Sequence, residues 1–145
     1  MRTVVIGIGN ALRGDDGAGL AVAERLGGVA CEEEPSRLIE AWGGAEAAVL
    51  VDTVVSGAPP GTIHRFDATD APIPARALRS STHAIGLAET IELARALGKL
   101  PARVVVYGIE GTSFDAGGPL SPEVETAVNR LVTTIEEEEL CTSAP

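Results

Sequence analysis

Val4-Val5-Ile6-Gly7-Ile8-Gly9-Asn10-Ala11-Leu12-Arg13-Gly14-Asp15-Asp16-Gly17-Ala18-Gly19 is an unbroken apolar run that ends in a Gly-x-Gly-Asn turn and leads to two adjacent carboxylates set between glycines. Thr3 to Ile8 is continuously apolar and β-branched rather than alternating, the pattern of a strand buried on both faces. Gly19, Val22, Ala23 and Leu26 then recur at helical spacing, and Gly27-Gly28 supplies the stop. The stretch therefore reads as a β-loop-α unit with an acidic pair, Asp15-Asp16, between strand and helix.

Outward from this unit the same alternation continues. Val29 to Glu33 reads as a short second strand, and a brief helix after Pro35 places Leu38, Ile39 and Trp42 on one side. Ala47 to Val55 is a second two-sided apolar run, interrupted only by Asp52 and Thr53. The connection Ser56-Gly57-Ala58-Pro59-Pro60-Gly61 is too short to hold a crossover helix, so Thr62 to Phe66 is expected to run antiparallel at an edge. Asp67 to Ser81 carries two prolines and no clear period, and reads as a long surface connection. From Ala84 onward Leu87, Ala88, Ile91 and Ala94 form a helical stripe, with Ser81 or Thr82 as cap and His83 in the first turn. Arg103 to Ile109 is the last strand, and Ser121-Pro122 opens a final helix with Val124, Val128, Leu131, Val132 and Ile135 on one face. Strands alternating with helices imply an α/β fold, a three-layer α/β/α sandwich around a mostly parallel sheet. Residues 1–145 are expected to form one domain, with the Glu136 to Glu139 run solvated and about 138–145 a frayed tail.

Composition narrows the function. Eleven Lys and Arg stand against 21 Asp and Glu, a formal charge of −10, and such a field repels phosphate backbones and anionic membranes. Neither nucleic acid nor membrane is an expected partner. Cys31 and Cys141 are the only cysteines and form no Cys-x-x-Cys pair, which suits reduced thiols in a cytoplasm rather than a disulfide framework. No signal peptide or membrane-spanning run is legible, so a cytoplasmic location is expected.

In open parallel sheets, ligands sit beyond the carboxyl ends of the strands, where strand order reverses. Asp16 follows the first strand and Asp52 ends the third; if those strands are neighbours, the two carboxylates converge, and His83 closes a third corner. Two oxygens and an imidazole nitrogen suit nickel, zinc, iron or manganese better than calcium or magnesium, whose sites are built from oxygen alone. A helix N-terminus disfavours the imidazolium, which leaves His83 able to ligate, whereas nearby carboxylates act the other way. Each residue also has a plainer reading. Asp15 or Asp16 can cap the first helix, and His83 can be a hydrogen-bonded residue at a helix start. His64 lies within the edge strand and reads as structural. A carboxylate at the end of a buried run, as at Asp52, costs several kcal/mol unless paired or ligated.

No Gly-x-Ser-x-Gly elbow, His-Glu-x-x-His helix or phosphate-binding Gly-Lys-Ser/Thr loop is present. Gly7-x-Gly9 mimics a dinucleotide fingerprint, but Leu12 stands at the third glycine position.

Gly7-Ile8-Gly9-Asn10-x-Leu12-x-Gly14-Asp15-Asp16-Gly17-x-Gly19 resembles the opening signature of the hydrogenase maturation endopeptidases. The resemblance continues through Val51-Asp52, Pro60-Gly61-Thr62, Ser81-Thr82-His83-x-Ile85-Gly86-Leu87, Tyr107-Gly108-Ile109-Glu110 and Leu120-Ser121-Pro122-Glu123-Val124. It implies a five-stranded sheet of order 2-1-3-5-4 with strand four antiparallel. The implied activity is that of a hydrolase which trims the C-terminal extension from the large-subunit precursor of a nickel-iron hydrogenase after nickel insertion. The nickel is then supplied by the substrate rather than permanently bound. By motif, the family's metal-binding set falls on Asp16, Asp52 and His83. Family members usually carry an Asp-Gly-Gly-Thr-like turn after the second strand, where this chain has Glu33-Glu34-Pro35-Ser36. Either Glu33 or Glu34 replaces that aspartate, or the precursor is read differently; with Asp15, these two are the weaker catalytic candidates. Two other functions are open on the sequence: a nickel-sensing chaperone or adapter of the same precursor that cuts nothing, and a nucleotide-binding domain built on Gly7 and Gly9.

Overall fold

The computed structural model describes residues 2–31, 35–74, 77 and 86–140. In chain order its elements are β1 (Thr3–Ile8), a 3-10 turn (Gly14–Gly17), α1 (Ala18–Arg25), β2 (Val29–Cys31), α2 (Pro35–Ala41), β3 (Ala47–Val54), β4 (Ile63–Asp67), α3 (Leu87–Ala96), β5 (Arg103–Glu110), α4 (Pro122–Ile135) and a terminal π-helical turn (Glu136–Leu140). The strands form one sheet of order β2-β1-β3-β5-β4. β1 pairs in parallel with both β2 and β3, and β3 in parallel with β5. β4 alone is antiparallel, with Ile63 opposite Ile109, as the short Pro-Pro-Gly connection requires. This is the architecture and strand order expected from the sequence.

Both faces of the sheet are covered, which is why its central strands are apolar throughout. On one side Ile6, Ile8, Leu50 and Val106 pack with Leu38, Trp42, Leu87 and Ile91 beneath α2 and α3. On the other Val5, Val49, Val51 and Tyr107 pack with Val22, Val128, Leu131 and Ile135 beneath α1 and α4. The first helix crosses unusually close to the sheet. A Cβ on Gly7 would lie 2.2 Å from the Gly19 carbonyl oxygen, and one on Gly19 would lie 2.2 Å from that of Val51. Only glycine at both positions lets α1 dock there, so the glycine spacing of the opening stretch is a packing requirement.

Three expectations are corrected. The Glu136 to Glu139 run is not simply solvated: residues 136–140 continue α4 as a π-helical turn, and Glu139 is buried. Its carboxylate accepts the Tyr107 hydroxyl at 2.6 Å and pairs with Arg103 at 2.7 Å and Arg65 at 3.3 Å, so partners on β4 and β5 draw one acid of the run inward. The frayed tail expected at about 138–145 therefore does not include Glu138, Glu139 or Leu140; residues 141–145, with Cys141, lie outside the described residues. The connection after β4 is not wholly at the surface either. Ala68 and Ile73 are buried in the core, and the Arg95 guanidinium donates to the carbonyls of Thr69 and Ala68 at 2.9 and 2.7 Å. Finally, α3 begins at Leu87 with Gly86 as an extended N-cap, later than the expected start at Ala84, because the glycine terminates the helical geometry. His83, expected in the first turn of this helix, lies outside the described residues.

Candidate active site

Strand order reverses between β1 and β3, and the residues leaving their carboxyl ends form the candidate site. β1 and β3 are direct neighbours, with Gly7 opposite Val51, so Asp52 follows the last β3 residue paired with β1, at the level where β1 ends, while still opposite Gly108 of β5. Asp52 is fully buried. Its neighbours Leu50 and Val54 face the α2–α3 side, and the twofold alternation of a strand puts Asp52 on that same side. Its Oδ1 accepts the Thr53 backbone N–H at 2.7 Å.

Asp16 lies in the 3-10 turn after β1 and is also fully buried. Its Oδ2 accepts the Asn10 backbone N–H at 3.0 Å, which folds the turn back on itself. Gly9 makes this possible, because its φ is +143° and a Cβ there would meet the Asp16 carbonyl oxygen at 2.0 Å. Two of the expected site carboxylates thus come from adjacent strand ends.

Asp15 points elsewhere. One oxygen accepts the Thr112 and Ser113 backbone N–H groups and the Ser121 hydroxyl, each at 2.9 Å; the other accepts the Ser121 N–H at 2.7 Å. Burial by itself raises its pKa, but hydrogen bonds from Ser121, Ser113 and Thr112 outweigh this and hold it below the ordinary carboxylate value. A carboxylate so fully engaged and so acidic makes a poor general base. It does instead what a clamp does: with the Thr53 hydroxyl on the Asp15 carbonyl at 2.7 Å, it fastens the Asp16 turn to the β5–α4 connection and to β3. Ser121, the N-cap of α4, makes no side-chain cap bond and spends its hydroxyl on this clamp.

Glu110, at the end of β5, is a further buried carboxylate that the sequence reading named only within a motif. It accepts the Ser56 N–H and hydroxyl at 2.7 and 2.6 Å and contacts His64 Nε2 at 3.0 Å. Burial pushes its pKa up, and the hydrogen bonds from Ser56 and His64 bring it net below the usual value. The signal was available, since a charge at the end of a two-sided apolar strand is as anomalous at Glu110 as at Asp52. Its partners tie the β3–β4 connection and edge strand to β5, and give His64 the structural role expected of it.

His83, Glu33 and Glu34 lie outside the described residues. Among the described residues no group of three or more His, Cys, Asp or Glu side chains stands at metal-holding spacing, and no helix is long and apolar enough to cross a membrane.

Helices on both faces of a sheet whose buried acids emerge at the strand-order switch define a doubly wound α/β protein with a site at its carboxyl edge. The chain belongs to the hydrogenase maturation protease family, whose model matches residues 33–138; that span includes Asp52 and His83, while the Asp16 turn precedes it. The hydrogenase expression/formation protein HupD of Rhodobacter capsulatus is 32% identical over 136 residues, covering 85% of this chain and 64% of that protein. HupD of Thiocapsa roseopersicina is 29% identical, covering 89% and 63%. The chain therefore spans just under two thirds of the length of these relatives. The [NiFe] hydrogenase maturation protease HycI from Thermococcus kodakarensis is similar in structure, with a TM-score of 0.74 at 26% identity over 94% of this chain and 90% of that one. The hydrogenase maturating endopeptidase HybD from Escherichia coli shares the fold, with a TM-score of 0.73 at 23% identity, covering 96% and 94%.

Proposed function

We propose that this chain is an endopeptidase that removes the C-terminal extension of a nickel-iron hydrogenase large-subunit precursor after nickel insertion, and that nickel carried by the precursor docks on Asp16, Asp52 and His83. The observation that carries the reading is the pair of fully buried carboxylates at the adjacent ends of β1 and β3, in a chain of the hydrogenase maturation protease family. The donor chemistry fits: two carboxylate oxygens and one imidazole suit a borderline first-row ion better than a hard cation.

Asp15 holds the Asp16 turn in place, and the general base is left to a group other than Asp15. Glu33 and Glu34 occupy the segment in which other family members carry an Asp-Gly-Gly-Thr-like turn, and are the candidates for reading the precursor. Expected to act in the cytoplasm, the enzyme would meet its precursor before any export.

The test is the intact mass of a nickel-loaded large-subunit precursor, and of its nickel-free form, after incubation with the protein. Loss of a C-terminal peptide from the loaded form alone is the expected result. Asp16→Ala, Asp52→Ala and His83→Ala are each expected to abolish that loss, and unchanged cleavage in all three ends the metal-docking proposal. Co-purification of the loaded precursor without any mass change replaces the peptidase with the adapter function.

A further inference from the structure

A leucine held out into solvent sits on the loop that carries Asp16. Leu12 is 72% exposed, more than any other large hydrophobic side chain among the described residues. Single exposed leucines are common on protein surfaces, so exposure alone carries nothing. What distinguishes Leu12 is that its backbone is fixed from both sides. Its N–H donates to the Asn10 side-chain oxygen at 2.9 Å, and its carbonyl accepts the Gly117 N–H at 2.7 Å. The next residue, Arg13, bridges to Ala116. Asn10 in turn donates its N–H to the Asp16 carboxylate, so Leu12 is displayed at a fixed offset from a residue of the candidate site.

Beside it runs an open groove of about 220 Å³, lined by Ala11, Leu20, Ala21, Pro119 and Leu120, with Glu24 its only charged lining residue. Ala11 adjoins Leu12 in the chain and Gly17, also on the groove wall, adjoins Asp16, so groove and site share one loop. Its volume lies below the roughly 300–1,000 Å³ of small-molecule sites and suits aliphatic side chains presented by a peptide. In a chain of net charge −10, a nearly uncharged strip beside buried acids is a local exception to a surface that otherwise repels acidic partners.

We propose that Leu12 and the groove of Ala11, Leu20, Ala21, Pro119 and Leu120 dock an extended, aliphatic stretch of the substrate polypeptide near the bond to be cut. The proposal rests on the peptidase reading for the identity of that polypeptide, and on the geometry of the loop for its place. Rigid display spares the loop the ordering cost of binding, which is how a single preorganised side chain becomes an affinity anchor.

The test measures binding separately from cleavage, using fluorescence anisotropy of the nickel-loaded precursor labelled at its N-terminus, titrated with wild type, Leu12→Ser, Ala21→Glu and, as control, Leu97→Ser at the exposed C-cap of α3. Leu12→Ser and Ala21→Glu are expected to weaken binding roughly tenfold and to raise KM for processing with kcat unchanged; the exposed Leu12→Ser leaves the melting temperature at wild type, and Leu97→Ser leaves affinity, KM and melting temperature there. Equal affinity in all four proteins overturns the docking surface even if cleavage proceeds. If wild type binds but does not cleave, the peptidase reading falls and the affinity ratios alone decide the docking proposal. Absence of wild-type binding ends both, and a Leu12→Ser change from dimer to monomer in sedimentation assigns the strip to a second copy of this chain instead.

Discussion

Replacing Asp15 by Asn tests whether the acidic pair is divided between a clamp and a site. The wild-type carboxylate takes three donors on one oxygen and the Ser121 N–H on the other. An asparagine oriented to satisfy the first three sets its amide –NH2 against the Ser121 N–H, leaving a buried donor without an acceptor at a cost of about 1–3 kcal/mol. The three bonds that survive lose their charge assistance, which roughly halves each and removes about 0.5–1 kcal/mol apiece. Together the loss is about 3–5 kcal/mol, which for a domain of this size lowers the melting temperature by roughly 10 °C. Trp42 is the only tryptophan, buried with its indole N–H on the Lys99 carbonyl, so its fluorescence follows urea or thermal unfolding directly. The pH dependence adds a signature. The folded pKa of Asp15 lies below the ordinary value of 3.8, so its contribution is complete above the unfolded pKa and is lost as pH falls through the folded one. The gap between wild type and Asp15→Asn is thus constant from about pH 5 to 8 and closes in acid below about pH 4. A destabilisation under about 1 kcal/mol, or a gap that widens in acid, refutes the clamp.

Two further substitutions probe the frame around the site. Gly19→Ala puts a methyl 2.2 Å from the Val51 carbonyl oxygen, and because backbone cannot yield as a side chain does, the loss is expected at or above the ~3 kcal/mol of severe overpacking; a urea midpoint equal to wild type would show that α1 shifts freely. Glu139→Ala leaves the Tyr107 hydroxyl without its acceptor and two arginines without their partner. Those arginines are 42% and 37% exposed and regain water, so the expected loss is about 2–3 kcal/mol. Burial first, and then the Glu139 hydrogen bond, push the Tyr107 pKa up to about 12. The only tyrosine should therefore titrate at lower pH in the variant, as absorbance at alkaline pH would record, and an unmoved titration would remove Glu139 from its environment.

What was legible in the chain follows from how far each signal reaches. The nearly continuous apolar runs read at Thr3 to Ile8, Ala47 to Val55 and Arg103 to Ile109 can be satisfied only by strands covered on both faces, so strands, helices and the three-layer architecture could be read locally. The six-residue connection 56–61 fixed the antiparallel edge for the same reason: no helix fits in it. Asp52 was conspicuous because a charge in such a run demands a reason, and Glu110 carried the same mark. The division of labour within Asp15-Asp16 was not legible, since it depends on donors about a hundred positions away, at Thr112, Ser113 and Ser121. The inward turn of Glu139 likewise depends on Arg65, Arg103 and Tyr107, none of which is near it in sequence. Periodicity and chain length determine by themselves which segments are strands and helices, because burial of a two-sided strand is a property of that strand, whereas the strand order was implied only by the family resemblance. Only the tertiary structure decides which of several identical carboxylates is a clamp and which a buttress, because a carboxylate's role is set by the donors that folding brings to it.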